Sequence, residues 1–460
     1  MVTLASPLPR PDLAILRRVW ALAMAALIAV SWRLWVPRTE DSLAGDTTIV
    51  FPAIPLLGLP PGLAWLIDAM AFVCVVSCLV AIAVRPQVGP WSTLLLGIGL
   101  MALFITNQHR LQPWAYQAWL YCWAFTAWST GLPARRALLA ITSSIYAYSA
   151  LGKFDQQFLH TVGPGFVSVW LPWWEPPAGD RSLGLVTWAV LALPAIELTI
   201  AGSLLVPRLR RAAGVAAITM HTVLLLTLGP LGMNQSRGVI VWNLYLAFQA
   251  WWLFVRDKDG QGPAADAPLG PVLGKTGTPP LLGSLLSLPA LAVIGLALVL
   301  PCGERFPRGK SYGYWDHWLS WSLYSPHTSR AELQIHRTAI ASLPPIATRF
   351  ARATSDDDGW VTLQIGQWSL AELGVPIYPQ ARFQLGVAQR IGARVPSQAM
   401  RVRVRTTSDR FTGQREEILL LGQRELAEHV RKYWFLPSVN NSAASRPAGS
   451  ARKLGRELRR

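Results

Sequence analysis

Charge is what this chain has least of. Of its 460 residues only 15% are Asp, Glu, Lys or Arg, while 52% are hydrophobic. With a mean hydropathy of +0.32, this balance excludes an ordinary soluble protein and fits many membrane spans joined to a soluble part. Cysteine is also scarce, at four residues. Cys74, Cys78 and Cys122 lie inside apolar runs, so no disulfide framework is implied. Cys74 and Cys78 share a helix face, either as a redox pair or as small-residue packing between helices. No cleavable signal is expected, because the first apolar run (19–36) is long for one and no clean small-residue cleavage site follows. The net charge of +17 comes without a basic groove or recognition motif, so nucleic acid is not an expected partner. Neither an inverted repeat nor paired broken helices mark a transporter.

What the chain has in quantity is apolar runs and tryptophan, 22 residues of it, a residue that gathers at membrane interfaces. A span needs roughly 20 apolar residues. Such runs lie near 14–36, 61–84, 91–107, 114–130, 137–153, 182–206, 212–229, 239–255 and 281–300, the third to fifth being short. If they alternate, Arg10, Arg17, Arg18, Arg85, Arg135, Arg136, Arg208, Arg210, Arg211, Arg256 and Lys258 all fall on one side. The positive-inside rule makes that side cytoplasmic. The expected domains are a helical transmembrane bundle of about eight spans (1–255), a Gly/Pro-rich cytoplasmic linker (256–280) and a final span (281–300). A small extracytoplasmic α/β or α+β domain (301–440) and a disordered basic tail (441–460) follow. Strand-like alternation marks 331–336, 360–366 and 400–406, and helix-like stretches mark 345–353, 380–391 and 423–434.

Ionisable groups inside a membrane are costly, so each one there is a candidate site. At about 1.5 Å per residue, Glu197 and His221 lie at similar depths, roughly 13 Å from the cytoplasmic ends of consecutive antiparallel spans. They form a candidate midplane pair, as a proton relay or as a structural hydrogen bond. Lys153 ends its span at the outer surface, where it either snorkels or joins Asp155, Asp68, Arg237 and Asn243 in a polar outer pocket. A desolvated lysine there is a base or a binder of an anionic headgroup. The loop 156–180, with its run VSVWLPWWEPP, is a lid over that pocket or a connector resting on the membrane. Asp316 and His317, in an aromatic collar (312–326), are a catalytic pair or part of an interfacial anchor. No metal-ligand spacing is present.

Three motifs resemble the DoxX/MauE-like group of membrane proteins. The first is Ala150-Leu151-Gly152-Lys153-Phe154-Asp155 at the end of a span. The second is Pro194–Gly202, with Glu197 followed by small residues. The third is the basic turn leading into the Ala-rich run 208–220. Their order and spacing over about 80 residues carry the likeness. The larger plan is similar to the HTTM, or vitamin K-dependent γ-carboxylase-like, proteins. Those also join a multi-span unit to a soluble domain on the non-cytoplasmic side. Lys153 is the single lysine at the corresponding kind of motif, and the shorter C-terminal domain leaves the carboxylase chemistry behind. The resemblance implies a lipid- or quinone-facing bundle. The expectation is an integral inner-membrane protein, redox-associated, with a quinone-like or isoprenoid ligand. The alternative is a non-enzymatic scaffold whose outer domain recruits an envelope protein.

Overall fold

The computed structural model describes residues 11–38, 51–128, 132–171, 183–256, 281–305, 315–354 and 358–436. It is mostly helical up to residue 305. Helix α1 (Pro11–Val30) and the short α2 (Trp32–Trp35) lead into α3 (Pro61–Val84), α4 (Pro90–Thr106), α5 (Pro113–Ala127) and α6 (Leu132–Lys153). Then come α7 (Gly163–Ser168), α8 (Leu183–Leu205), α9 (Arg210–Leu228), α10 (Arg237–Ala250, continued by a wider turn to Val255) and α11 (Leu281–Arg305). Proline opens α3, α4 and α5, where its missing N–H would have had no intrahelical partner.

Among the described residues, helices stand at all nine expected span positions. Six segments are long and apolar enough to cross a membrane: Leu13–Val30, Pro61–Val84, Val186–Leu205, Arg210–Leu228, Arg237–Val255 and Leu285–Gly303. α4, with 17 residues, and α5, with 15, fall short of that length, and α6 carries Arg135, Arg136 and Lys153. Nearly every residue of α5 is buried by its neighbours, so it needs no apolar outer face. α3, α8 and α11 instead turn large apolar side chains outward, Trp188 and Leu288 among them.

The long helices alternate in direction. At one end, Arg17 donates to the Val88 carbonyl (3.1 Å), Arg18 to that of Val84 (3.2 Å) and Arg135 to that of Leu253 (2.8 Å). At the other end lie Phe51, the 108–110 turn and Gly152, and the C-terminal domain packs there. Phe51 N–H donates to Glu372 (3.0 Å), and Gln108 Nε2 donates to the Phe435 carbonyl (2.8 Å). Glycine permits close helix contact, since a Cβ on Gly214 would lie 2.6 Å from that of Phe254. All four cysteines are free. Cys74 packs over Gly99 of α4 and donates to the Leu95 carbonyl, a packing arrangement.

The C-terminal domain holds an antiparallel sheet of β1 (Arg330–His336), β2 (Ala351–Ala353), β3 (Trp360–Leu363), β4 (Met400–Arg405) and β5 (Glu417–Leu421), in the order β2-β3-β1-β4-β5. Helices α12 (Pro345–Thr348), α13 (Ile365–Leu373), α14 (Ala381–Gly392) and α15 (Gly422–Val430) complete it, an α+β arrangement. Pairing Leu333 with Val402 and Ile335 with Met400 puts the apolar alternates on one buried face and Arg401, Arg403 and Arg405 on the other. Two local expectations change. The stretch 345–353 is helical only to Thr348, because Ala351–Ala353 pairs with β3, and sheet pairing overrides weak local preference. The strand at Trp360 stops at Leu363, two residues before α13 begins at Ile365. The linker 257–280, the tail from 441 and residues 172–180 of the Trp-rich loop lie outside the described residues.

The seam between bundle and sheet domain is polar and buried. Asp316 accepts from Tyr378 (2.6 Å) and Arg382 (2.5 Å), and Arg382 also donates to Gln108 (3.1 Å). His317 Nε2 instead lies 2.9 Å from the Ser325 carbonyl. Asp316 and His317 thus turn to separate partners and anchor the seam. His109 sits between Phe51 and Phe383. Burial pushes its pKa down to about 4, which keeps it neutral near pH 7.

Candidate functional site

Tyr146, Ser149 and Lys153 recur along one face of α6 at helical spacing. Lys153 is the last residue of that helix, and side chains lean toward the helix N-terminus. Its ammonium therefore turns back into the bundle rather than out to water. It donates to Ser149 Oγ at 2.7 Å and to Glu197 Oε2 of α8 at 2.5 Å. Lys153 and Glu197 are each 9% exposed. About two helical turns back along α6, at Tyr146, His221 of α9 bridges two side chains. The Tyr146 hydroxyl lies 2.9 Å from His221 Nε2, and Asn243 Oδ1 of α10 lies 2.9 Å from His221 Nδ1. Asn243 Nδ2 donates to the Val239 carbonyl, which turns its oxygen to the ring. Nδ1 is then the donor and Nε2 the acceptor, the neutral imidazole tautomer.

This arrangement corrects the expected midplane pair. Glu197 is bonded to Lys153, and His221 to Tyr146 and Asn243. Depth along the hairpin fixes height but not rotation about the helix axis, and rotation turns the two side chains to different neighbours. The expected outer pocket also divides. Asp68 of α3 accepts from Arg110 Nη1 and, at 2.9 Å, from Arg110 Nη2, and also from Thr106. Asp155 Oδ1 accepts the N–H groups of Gln157 (2.9 Å) and Phe158 (3.3 Å), capping the turn that follows α6. Burial raises its pKa, and those two N–H groups pull it back. Arg237 is exposed at the start of α10. Of the five, Lys153 alone reaches Glu197, and Asn243 alone reaches His221. Described residues 163–171 pack beside α8 and α9, with Trp170 Nε1 donating to Thr227 (2.9 Å).

The sheet domain closes over the Lys153 end of α6. Ser325 Oγ donates to the Gly152 carbonyl, and Arg410 Nη1 donates to that of Leu151 at 3.0 Å. These are helix-end carbonyls without intrahelical partners. Ser325 Oγ also lies 2.6 Å from His327 Nδ1. Ser325, His327 and Arg410 carry no signal in the sequence, because only the fold brings them to residue 152. Ser149 and Tyr146 are legible at four and seven residues before Lys153. A second buried network joins Gln117, Tyr121, Thr142, Trp242 and Gln249. It is mutually satisfied and locks α5, α6 and α10 together.

Chemically, the layer holds one ammonium, one carboxylate, a phenol and a neutral imidazole in a water-poor setting. Those groups can pass or hold a proton. Among the described residues, no group of three His, Cys, Asp or Glu side chains could hold a metal ion. No protein-family model, curated protein or solved structure gives a significant match to this chain.

Proposed function

We propose that this chain is a multi-pass inner-membrane protein whose Lys153–Glu197 layer exchanges protons for a quinone-like or isoprenoid lipid. The observation that carries the reading is the buried Lys153–Glu197 pair, set in a bundle with outward apolar faces. An ion pair in that setting is costly, and the flanking Tyr146–His221–Asn243 set offers a route for a proton. The likeness to DoxX/MauE-like and HTTM proteins rests on the same motif and belongs to this reading. In it the nine long helices all cross, the N-terminus and 257–280 are cytoplasmic, and the sheet domain is extracytoplasmic. The alternating helix ends and the basic residues gathered at one of them support that topology. Reporter fusions at Gly260 and Ser355 test it: cytoplasmic activity at Ser355 would reject it.

Lys153→Arg and Lys153→Gln test the site. Arg keeps the charge but cannot act as a base near neutral pH, and Gln removes the charge. Both are expected to impair retention of co-purifying lipid and the cellular phenotype at normal insertion levels. Normal behaviour in both removes the site and leaves the scaffold alternative. That alternative has its own observation, the apolar residues exposed on the sheet domain: Phe411, 88% exposed, with Leu419 and Leu421 on edge strand β5.

A further inference from the structure

A groove of about 330 Å³ lies between α4, α5 and α11 and continues up to the collar before β1. It is within the size range of small-molecule sites. Phe104, Trp119, Val293 and Leu300 line it, together with Tyr116 and Trp315. Leu296 forms part of its wall and is 55% exposed, so the groove opens on the apolar face that α11 turns outward. Val293 and Leu300 are seven residues apart, so the groove runs roughly 10 Å along the helix.

Its two ends differ. The end toward the bundle centre is hydrocarbon. The end beneath the sheet domain holds Tyr116, in the first turn of α5, and Trp315. The Trp315 indole N–H is buried with no acceptor among the described residues. Tyr116, whose hydroxyl is a second donor, lines the same end. Buried donors are ordinarily paired. An occupant therefore has an apolar chain and, at one end, a neutral acceptor. The groove wall carries no charged side chain, and the nearby guanidinium of Arg110 is bound to Asp68. A phosphate is thus not held within it.

We propose that this groove holds one acyl chain of an outer-leaflet glycerolipid, its ester carbonyl accepting from Tyr116 and Trp315. The ester carbonyls of a bilayer lie at the boundary between headgroups and hydrocarbon. The seam between bundle and sheet domain stands at that level in the topology given above, on which this inference rests. The headgroup then lies beside the aromatic collar, outside the groove. The lipid bridges α5, α11 and the collar. It is separate from the Lys153–Glu197 layer.

The test uses the full chain in vesicles of phosphatidylethanolamine and phosphatidylglycerol with a trace of diester phosphatidylethanolamine carrying a diazirine near the end of one chain. Photolabelling should map to α4, α5 or α11. Val293→Trp, which fills the groove from a partly buried position, should lower it about tenfold, while Val293→Leu leaves it unchanged. Tyr116→Phe combined with Trp315→Phe should lower it about tenfold, as loss of two modest hydrogen bonds implies. An ether-linked analogue with the same chains has no carbonyls. It should label weakly and be indifferent to the double substitution. Equal labelling by ester and ether lipids, or labelling that survives Val293→Trp, overturns the proposal. So does displacement by an isoprenoid quinone with no ester-dependent signal. A chain that fails to stay with the vesicles overturns the membrane reading as well, whereas one that inserts without ester-dependent labelling overturns the groove alone.

Discussion

Glu197→Ala is expected to destabilise the bundle by about 3–5 kcal/mol, the usual cost of stranding one member of a buried ion pair. Lys153 would keep only Ser149 Oγ as a polar partner, and the ammonium would stay in a site with little water. The double substitution Lys153→Met with Glu197→Leu removes both charges and fills similar volume. It should recover most of the loss, because well-packed apolar replacements of buried pairs are often neutral or better. Unfolding in mild detergent, followed for wild type, both single variants and the double variant, measures this directly. A loss below about 1 kcal/mol for Glu197→Ala would place the pair in the range of exposed salt bridges and undo the claim of burial. The double variant also separates stability from function. A stable bundle that has lost its lipid and its phenotype assigns the pair to chemistry; a stable and fully active one assigns it to architecture alone.

Arg110→Met should cost a similar amount, about 3–5 kcal/mol, and should loosen both parts of the molecule. Arg110 holds Asp68 through two nitrogens, and the same guanidinium donates to the carbonyls of Leu34 (2.9 Å) and Trp35 (3.2 Å). It therefore ties α2 and α3 to the turn after α4. Gln108 and His109, in that turn, reach Arg382, Phe435 and Pro376 of the sheet domain. Without Arg110, Asp68 keeps only the Thr106 hydroxyl. Limited proteolysis should then cut the sheet domain faster, in step with a fall in melting temperature. Arg110→Lys should be intermediate, since an ammonium cannot reproduce the two-nitrogen fork. Wild-type proteolysis and melting for Arg110→Met would show that the seam is held by its apolar contacts.

The sequence made the helices legible because hydropathy reports length and burial together. Helices stand at all nine positions, six of them long and apolar enough to cross a membrane, and strands stand at 331–336 and 400–406, where alternation is clean. β5 escaped because EILLL is a continuous apolar run whose alternate leucines face outward at a sheet edge. The candidate site was legible as residues but not as pairs. Lys153, Glu197 and His221 were each singled out by the cost of a polar group among apolar ones. Their partners depend on helix rotation and on the backward lean of a terminal lysine. Arg110 was missed for a related reason: basic residues in short loops are read for topology, and this one turns inward to a carboxylate 42 residues earlier.

The capping of α6 sets an order of events in the life of the chain. The carbonyls of Leu151 and Gly152 are closed by Arg410 and Ser325, which lie 259 and 173 residues further along. During synthesis from the N-terminus, α6, α8, α9 and α10 are complete long before either residue exists. The helices can thus bring Lys153 to Glu197 while the end of α6 is still open to its surroundings. Closure waits for the sheet domain to fold, and that domain is made after all of these helices. Whatever must enter the space above Lys153 has that interval in which to do so, and a chain stopped before residue 325 would carry its pair unroofed.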